Sequence, residues 1–167
     1  MSIWFLPGRH GTPNGFKAQW FANRIGARPL YLDPEAPFDW LVEDLKRRIQ
    51  EQGRPEALVG VSSGAAMIWQ LFHDKAWDGP ALLLCPALRR YNQRLTGPDV
   101  GHGVIFHGTR DSVVAIEDSE SAVANVMDRF SLERCEDEEH ALRGLFDSPR
   151  LDASLTKLGI RLLDAAK

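Results

Sequence analysis

The sequence predicts a three-layer α/β/α sandwich around a mostly parallel sheet of six strands. Three observations carry that expectation. Six short apolar runs rich in Leu, Val and Ile recur along the 167 residues, and most are apolar on both faces, as buried parallel strands are. Amphipathic stretches of helical length lie between them, and strands alternating with helices imply right-handed crossovers. A G-x-S-x-G, Gly60-Val61-Ser62-Ser63-Gly64, falls where one apolar run ends and a helical run begins.

The first strand is expected over 3–6. It has no basic flank and soon meets Pro7-Gly8, so it reads as a strand and not as a secretory leader. A helix over 15–25 and a strand over 29–32 follow. Over 39–52, Leu41, Leu45, Arg48-Ile49 and Gln52 keep the three-to-four spacing of one buried face, with charges opposite. A strand at 58–61 then leads through the motif into a helix at 65–74. Strands at 81–85, 104–107 and 130–135 and a helix at 116–127 complete the alternation. A last helix, 152–165, sets Leu155, Leu158, Leu162 and Leu163 on one stripe. No repeat, low-complexity tract or linker divides the chain, so 1–167 reads as a single domain.

Composition narrows the function. A net charge of −3 gives nucleic acid no basic face to bind, and no apolar run is long enough to cross a bilayer. The expected partner is therefore a small molecule, and the expected location cytoplasmic. Cys85 and Cys135 lie in strand-like apolar surroundings and read as buried thiols. No closely spaced histidine–carboxylate set on one element suggests a metal, and no glycine-rich phosphate loop suggests a nucleotide, so no cofactor is expected.

The motif supplies the chemistry. A serine on a sharp strand-to-helix turn presents its hydroxyl above the sheet, and a glycine two residues away on either side lets the neighbouring backbone pack close. A serine hydroxyl needs a base, normally a histidine held by a carboxylate. Sites in such sheets form at the carboxyl ends of the strands, so the partners of Ser62 belong in the loops that follow strands. His102 lies at an amino end, and His73 and His107 read as packed side chains. His10, in the first loop, is a second choice. His140, in "EDEEHALRG" after the last strand, is the expected base, beside the acidic residues Glu136 to Glu139. Asp111, in "HGTRDSVV" after the fifth strand, is the expected orienter, and it can also cap a turn. Ser62, Asp111 and His140 then occur in the chain order of α/β-hydrolases. The backbone N–H of Ser63 is one expected oxyanion donor. The loop after the first strand supplies the other, with Arg9 preferred and Thr12 the alternative.

On these residues the chain resembles the small cap-less α/β-hydrolases of the YqiA-like and retinoblastoma-binding-protein-like group. The resemblance spans a strand leading into a glycine loop, the Ser62 elbow, "LLLCPAL", "HGTRDSVV" and a histidine after the last strand. It implies a minimal α/β-hydrolase fold without a cap domain and a serine esterase-type site at Ser62, Asp111 and His140. The first loop departs from the group, reading "LPGRHG" where His-Gly usually follows the strand directly. Ser63 and Ala65 also stand in the elbow where a second glycine or a leucine is usual.

The segment 86–101 is too short for a lid, so an open site is expected. Leu88, Tyr91 and Leu142 are the candidate substrate-binding residues, with Leu95 and Phe146 as further walls. Arg9, Arg89 and Arg90 are placed either to meet an anionic substrate or to be solvated. The leading function is hydrolysis of small carboxylic esters or thioesters through an acyl-serine. Acyl transfer or amide cleavage with the same residues, and a non-catalytic interaction module on the same scaffold, are the alternatives.

Overall fold

The computed structural model describes residues 2–164 and contains β1 (Ile3–Leu6), α1 (Phe16–Ile25), β2 (Arg28–Pro29), α2 (Phe38–Gln52), β3 (Ala57–Val61), α3 (Ser63–His73), β4 (Pro80–Leu84), β5 (His102–Gly108), α4 (Ile116–Val123), β6 (Phe130–Cys135) and α5 (Arg150–Lys157), with short 3-10 turns at Arg89–Tyr91 and Arg143–Asp147. The six strands form one sheet in the order β2-β1-β3-β4-β5-β6, and every pairing is parallel.

Strand side chains alternate between two cores, as the period of two requires. Trp4, Leu6, Leu58, Leu83 and Ile105 face α2, α3 and α4. Ile3, Phe5, Val59, Val61, Leu82, Leu84, Val104 and Phe106 face α1 and α5. Both faces are thus covered, which explains why β1, β3 and β4 carry no polar side chain, while the edge strand β6 carries Ser131, Glu133 and Arg134. The three-layer sandwich expected from the sequence is observed.

The order reverses between β1 and β3. From β1 the chain steps outward to β2, then returns to place β3 on the other side of β1. The loops leaving β1 and β3 diverge at that point and open a crevice at the carboxyl edge of the sheet. Arg9 follows β1 and Ser62 follows β3, so the reversal sets these two beside the same opening.

Three elements are shorter than the sequence suggested. Of the expected second strand, 29–32, only Pro29 pairs with β1, together with Arg28 before it; the Leu30 amide adds one bond to the Phe5 carbonyl, and the chain then turns between Asp33 and Ala36. The expected helix at 116–127 ends at Val123, where the amides of Ala124 and Val126 tighten to bond Ser121 and Val123 and the Asn125 side chain instead accepts the amide of Gly97. The last helix stops at Lys157 because Gly159, at φ 77°, takes the left-handed conformation that terminates helices. Beyond it the chain runs along α1, with the Leu163 amide bonded to the Arg24 carbonyl, and Leu163 is exposed instead of joining a buried stripe. Positions 165–167 lie outside the described residues. Arg24 also pairs with Asp152, Nε to Oδ1 at 2.8 Å, tying α1 to α5.

Among the described residues, no helix is long and apolar enough to cross a membrane. Cys85 and Cys135 are both free and buried.

Candidate active site

Ser62 occupies the turn between β3 and α3 at φ 52° and ψ −109°. This is a costly conformation for a residue with a Cβ, of order 1–3 kcal/mol, held in place by its surroundings. Its amide donates to the Leu84 carbonyl at 2.9 Å, and its carbonyl accepts the amides of Ala66 at 3.0 Å and Ala87 at 3.2 Å. Both motif glycines are required by close approach. A Cβ on Gly60 would lie 2.7 Å from the Ala65 nitrogen, and one on Gly64 would lie 2.3 Å from the Leu6 carbonyl oxygen. The second contact shows why the motif also shapes the first loop: the chain leaving β1 passes directly over the start of α3.

Asp111 binds with both oxygens. Its Oδ1 accepts the amides of Val113 at 2.9 Å and Val114 at 2.8 Å, shaping the loop after β5. Its Oδ2 accepts Nδ1–H of His140 at 2.7 Å. Capping and orienting are therefore performed by one side chain at once. Burial opposes ionisation of Asp111, but the amides of Val114 and Val113 and the His140 ring hold its pKa below the ordinary carboxylate value.

The loops after β5 and β6 are fastened to each other. The amides of Thr109 and Arg110 donate to the carbonyls of Cys135 and Glu138, and the amide of Asp137 donates to the Thr109 hydroxyl. A Cβ on Gly108 would lie 2.3 Å from the Glu138 carbonyl oxygen. The turn from Glu139 to Leu142 then carries His140 to Asp111.

Two neighbours of Asp111 have no role in the sequence reading beyond packing. His107 is fully buried. Its Nε2 lies 2.9 Å from the Val114 carbonyl and 3.3 Å from Asp111 Oδ2, and its Nδ1 lies 2.7 Å from the Ser119 hydroxyl. A carbonyl and a carboxylate only accept, so Nε2 carries the proton and Nδ1 accepts from Ser119. His107 is thus a satisfied packed histidine, as the sequence suggested, and also a second donor facing Asp111. Cys85, at φ 45°, places its sulfur within 4.8 Å of ligand atoms of Asp111 and His140. Burial pushes its thiol pKa well up, so it stays protonated and inert.

A cavity of about 890 Å³ covers the crevice, in the range of small-molecule sites. Ser62, Ser63, Arg9, Thr12, His10 and His140 all line it. Ser62 and His140 share this cavity without a hydrogen bond between them. Among the described residues, neither the Arg9 amide nor the Ser63 amide has a hydrogen-bond partner. Arg9 and Ser63 also line a small recess of about 20 Å³ next to the main cavity, which Thr12 does not reach.

Of the expected substrate walls, Tyr91 is on the cavity and stacks on Phe38 with ring centroids 4.2 Å apart. Leu88 and Leu142 are fully buried, in the two opposite cores, and are not on the cavity surface. Both positions looked apolar and near the loops, but a core leucine and a wall leucine have the same sequence signature. The lip is instead formed by Phe16 and Val113, each well exposed. Phe146 packs edge-on behind Phe16 at 5.4 Å. Lys17 and Arg143 also line the cavity and were not foreseen; nothing in their spacing distinguishes them from solvated surface residues.

No protein-family model matches the chain, and no curated protein does. Its fold is similar to that of several solved structures. Est1E from Butyrivibrio proteoclasticus superposes with a TM-score of 0.73 at 12% identity, covering 94% of this chain and 86% of its own. The alpha/beta hydrolase domain-containing protein 10 from mouse gives 0.66 at 16%, covering 94% and 90%. An alpha-beta serine hydrolase homologue from Coxiella burnetii gives 0.65 at 18%, covering 93% and 84%. At such identities the likeness is one of architecture: this chain has the α/β-hydrolase fold.

Proposed function

We propose that this protein is a serine hydrolase that cleaves small carboxylic esters or thioesters through an acyl-Ser62 intermediate, in the manner of the cap-less α/β-hydrolases its motifs resemble. The observation that carries this reading is the strained Ser62 turn, opening onto the same cavity as a histidine whose Nδ1 is held by a buried carboxylate.

With Nδ1–H committed to Asp111, His140 keeps the Nε2 lone pair for the cavity. Ser62 Oγ attacks the acyl carbon as Nε2 takes its proton. The carbonyl oxygen becomes an oxyanion, stabilised by the N–H groups of Ser63 and Arg9. His140 then protonates the leaving alcohol or thiol as the carbon–oxygen or carbon–sulfur bond breaks. Water enters, gives its proton to Nε2, and attacks the acyl carbon; a carboxylic acid leaves and Ser62 recovers its proton. The missing Ser62–His140 hydrogen bond is compatible with this course, since catalytic contacts in a free enzyme often tighten only when substrate binds.

A fluorophosphonate probe tests the reading. It should modify Ser62 alone, at one equivalent per chain, and Ser62→Ala should not be modified. A protein inert to the probe would instead be a scaffold that keeps the fold without the chemistry.

A further inference from the structure

The cavity is electrically unlike the rest of the chain. In a protein of net charge −3, its wall carries four cations, Arg9, Lys17, Arg90 and Arg143, against one carboxylate, Asp147. Among the described residues, none of these four forms an ion pair. Elsewhere cations find partners readily, as Arg24 with Asp152, Arg89 with Asp118 and Arg150 with Glu133 do.

Lys17 and Arg143 are the telling pair. Both face the cavity that holds Ser62 and His140, and Lys17 is partly buried. Burial lowers the Lys17 pKa, Cys85 and Asp111 oppose that shift, and the Arg143 guanidinium adds to it. Lys17 Nζ lies over the Phe146 ring, 6.0 Å from its centroid, Arg143 is exposed, and neither has a carboxylate partner, so their repulsion is left without a counter-charge. An anion bound between them would supply one.

We infer that the ester cleaved at Ser62 carries a carboxylate on its acyl chain, held by Lys17 and Arg143, so that the preferred substrate class is the half-ester of a short dicarboxylic acid. The inference rests on the serine-hydrolase reading for the identity of the reacting bond. The charge pair itself is independent of that reading. Arg143 can grip a carboxylate with two parallel N–H groups while Lys17 adds a point charge. Arg9 and Arg90, at the rim, raise the local concentration of anions.

Binding and turnover are measured separately. On Ser62→Ala, monomethyl glutarate and methyl butyrate are titrated by amide chemical-shift perturbation. The half-ester should bind at least about tenfold more tightly, and added salt should erode the difference. Adding Lys17→Met or Arg143→Met should remove most of that preference, while Lys17→Arg should keep it. Circular dichroism checks that each variant is folded. Equal binding of the two esters, or a preference that survives both methionine substitutions, overturns the inference even if the wild type hydrolyses both. A clear preference in binding, with wild-type protein hydrolysing neither ester, would support the carboxylate site and sink the hydrolase reading.

Discussion

Asp111 Oδ2 stands between two imidazoles, 2.7 Å from Nδ1 of His140 and 3.3 Å from Nε2 of His107. The nearer ring reaches the cavity; the farther is sealed in the core with its other nitrogen bonded to Ser119. One carboxylate oxygen therefore fixes the Nδ1–H tautomer of His140 while itself being held from behind.

Asp111→Asn tests that arrangement. An amide can offer its NH₂ to His140 and stabilise the wrong tautomer, so kcat should fall by roughly 10³–10⁴-fold with the fold kept. Steady-state kinetics with a p-nitrophenyl ester, beside a far-ultraviolet spectrum, reads both. A nearly silent substitution would move the orienting role to another carboxylate, Asp137 first.

The oxyanion assignment separates backbone from side chain at Arg9. Gly8 to Gly11 close a turn through a 2.9 Å bond, with Arg9 at its second position, where proline is well tolerated. Arg9→Pro deletes the N–H and should cost about 10²–10³-fold in kcat. Arg9→Ala keeps the N–H and should cost far less. Equal losses in the two variants would shift the donor to Thr12.

Stability should respond to Gly64 and Gly8 very differently. A Cβ at Gly64 meets two carbonyl oxygens that cannot move without displacing the first loop, whereas at Gly8 the nearest atom is 3.5 Å away. Gly64→Ala should lose about 3 kcal/mol or more, and Gly8→Ala less than about 1 kcal/mol. Urea unfolding measures both.

Much of this was legible in the sequence, for identifiable reasons. Ser62 announced itself because a strained elbow demands Gly60 and Gly64 at fixed spacing. His140 and Asp111 followed from the rule that loops after parallel strands share an edge, which confined their search to a few segments. Gly159 could have marked the end of the last helix, but the leucine stripe beyond it drew the boundary too far. Leu88 and Leu142 were misplaced because burial depends on which side of a loop faces the core, and no periodicity records that in irregular chain. Lys17 and Arg143 stayed hidden because each becomes unusual only next to the other, and they are distant in sequence.

Acid should weaken the fold through His107. Burial holds its pKa below the ordinary histidine value, so the unfolded chain accepts a proton that the folded chain refuses. The stability so contributed is complete above about pH 6.5 and is lost as pH falls through the lower folded value. One such group adds at most about 1.4 kcal/mol per pH unit. Between pH 7 and pH 5, wild type should therefore lose more unfolding free energy than His107→Gln, measured in urea. Equal losses would place the sensitivity elsewhere, with His73, also depressed by burial, the next to test.

The central claim is that Ser62 is acylated during turnover. Rapid quenching of the protein with a short p-nitrophenyl ester, followed by peptide mass spectrometry, reads this directly. The account predicts a peptide carrying the acyl mass on Ser62, with Ser62→Ala showing neither that adduct nor measurable turnover, and Ser63→Ala still forming it. Turnover that persists in Ser62→Ala, or an acyl group found on another residue, would contradict it.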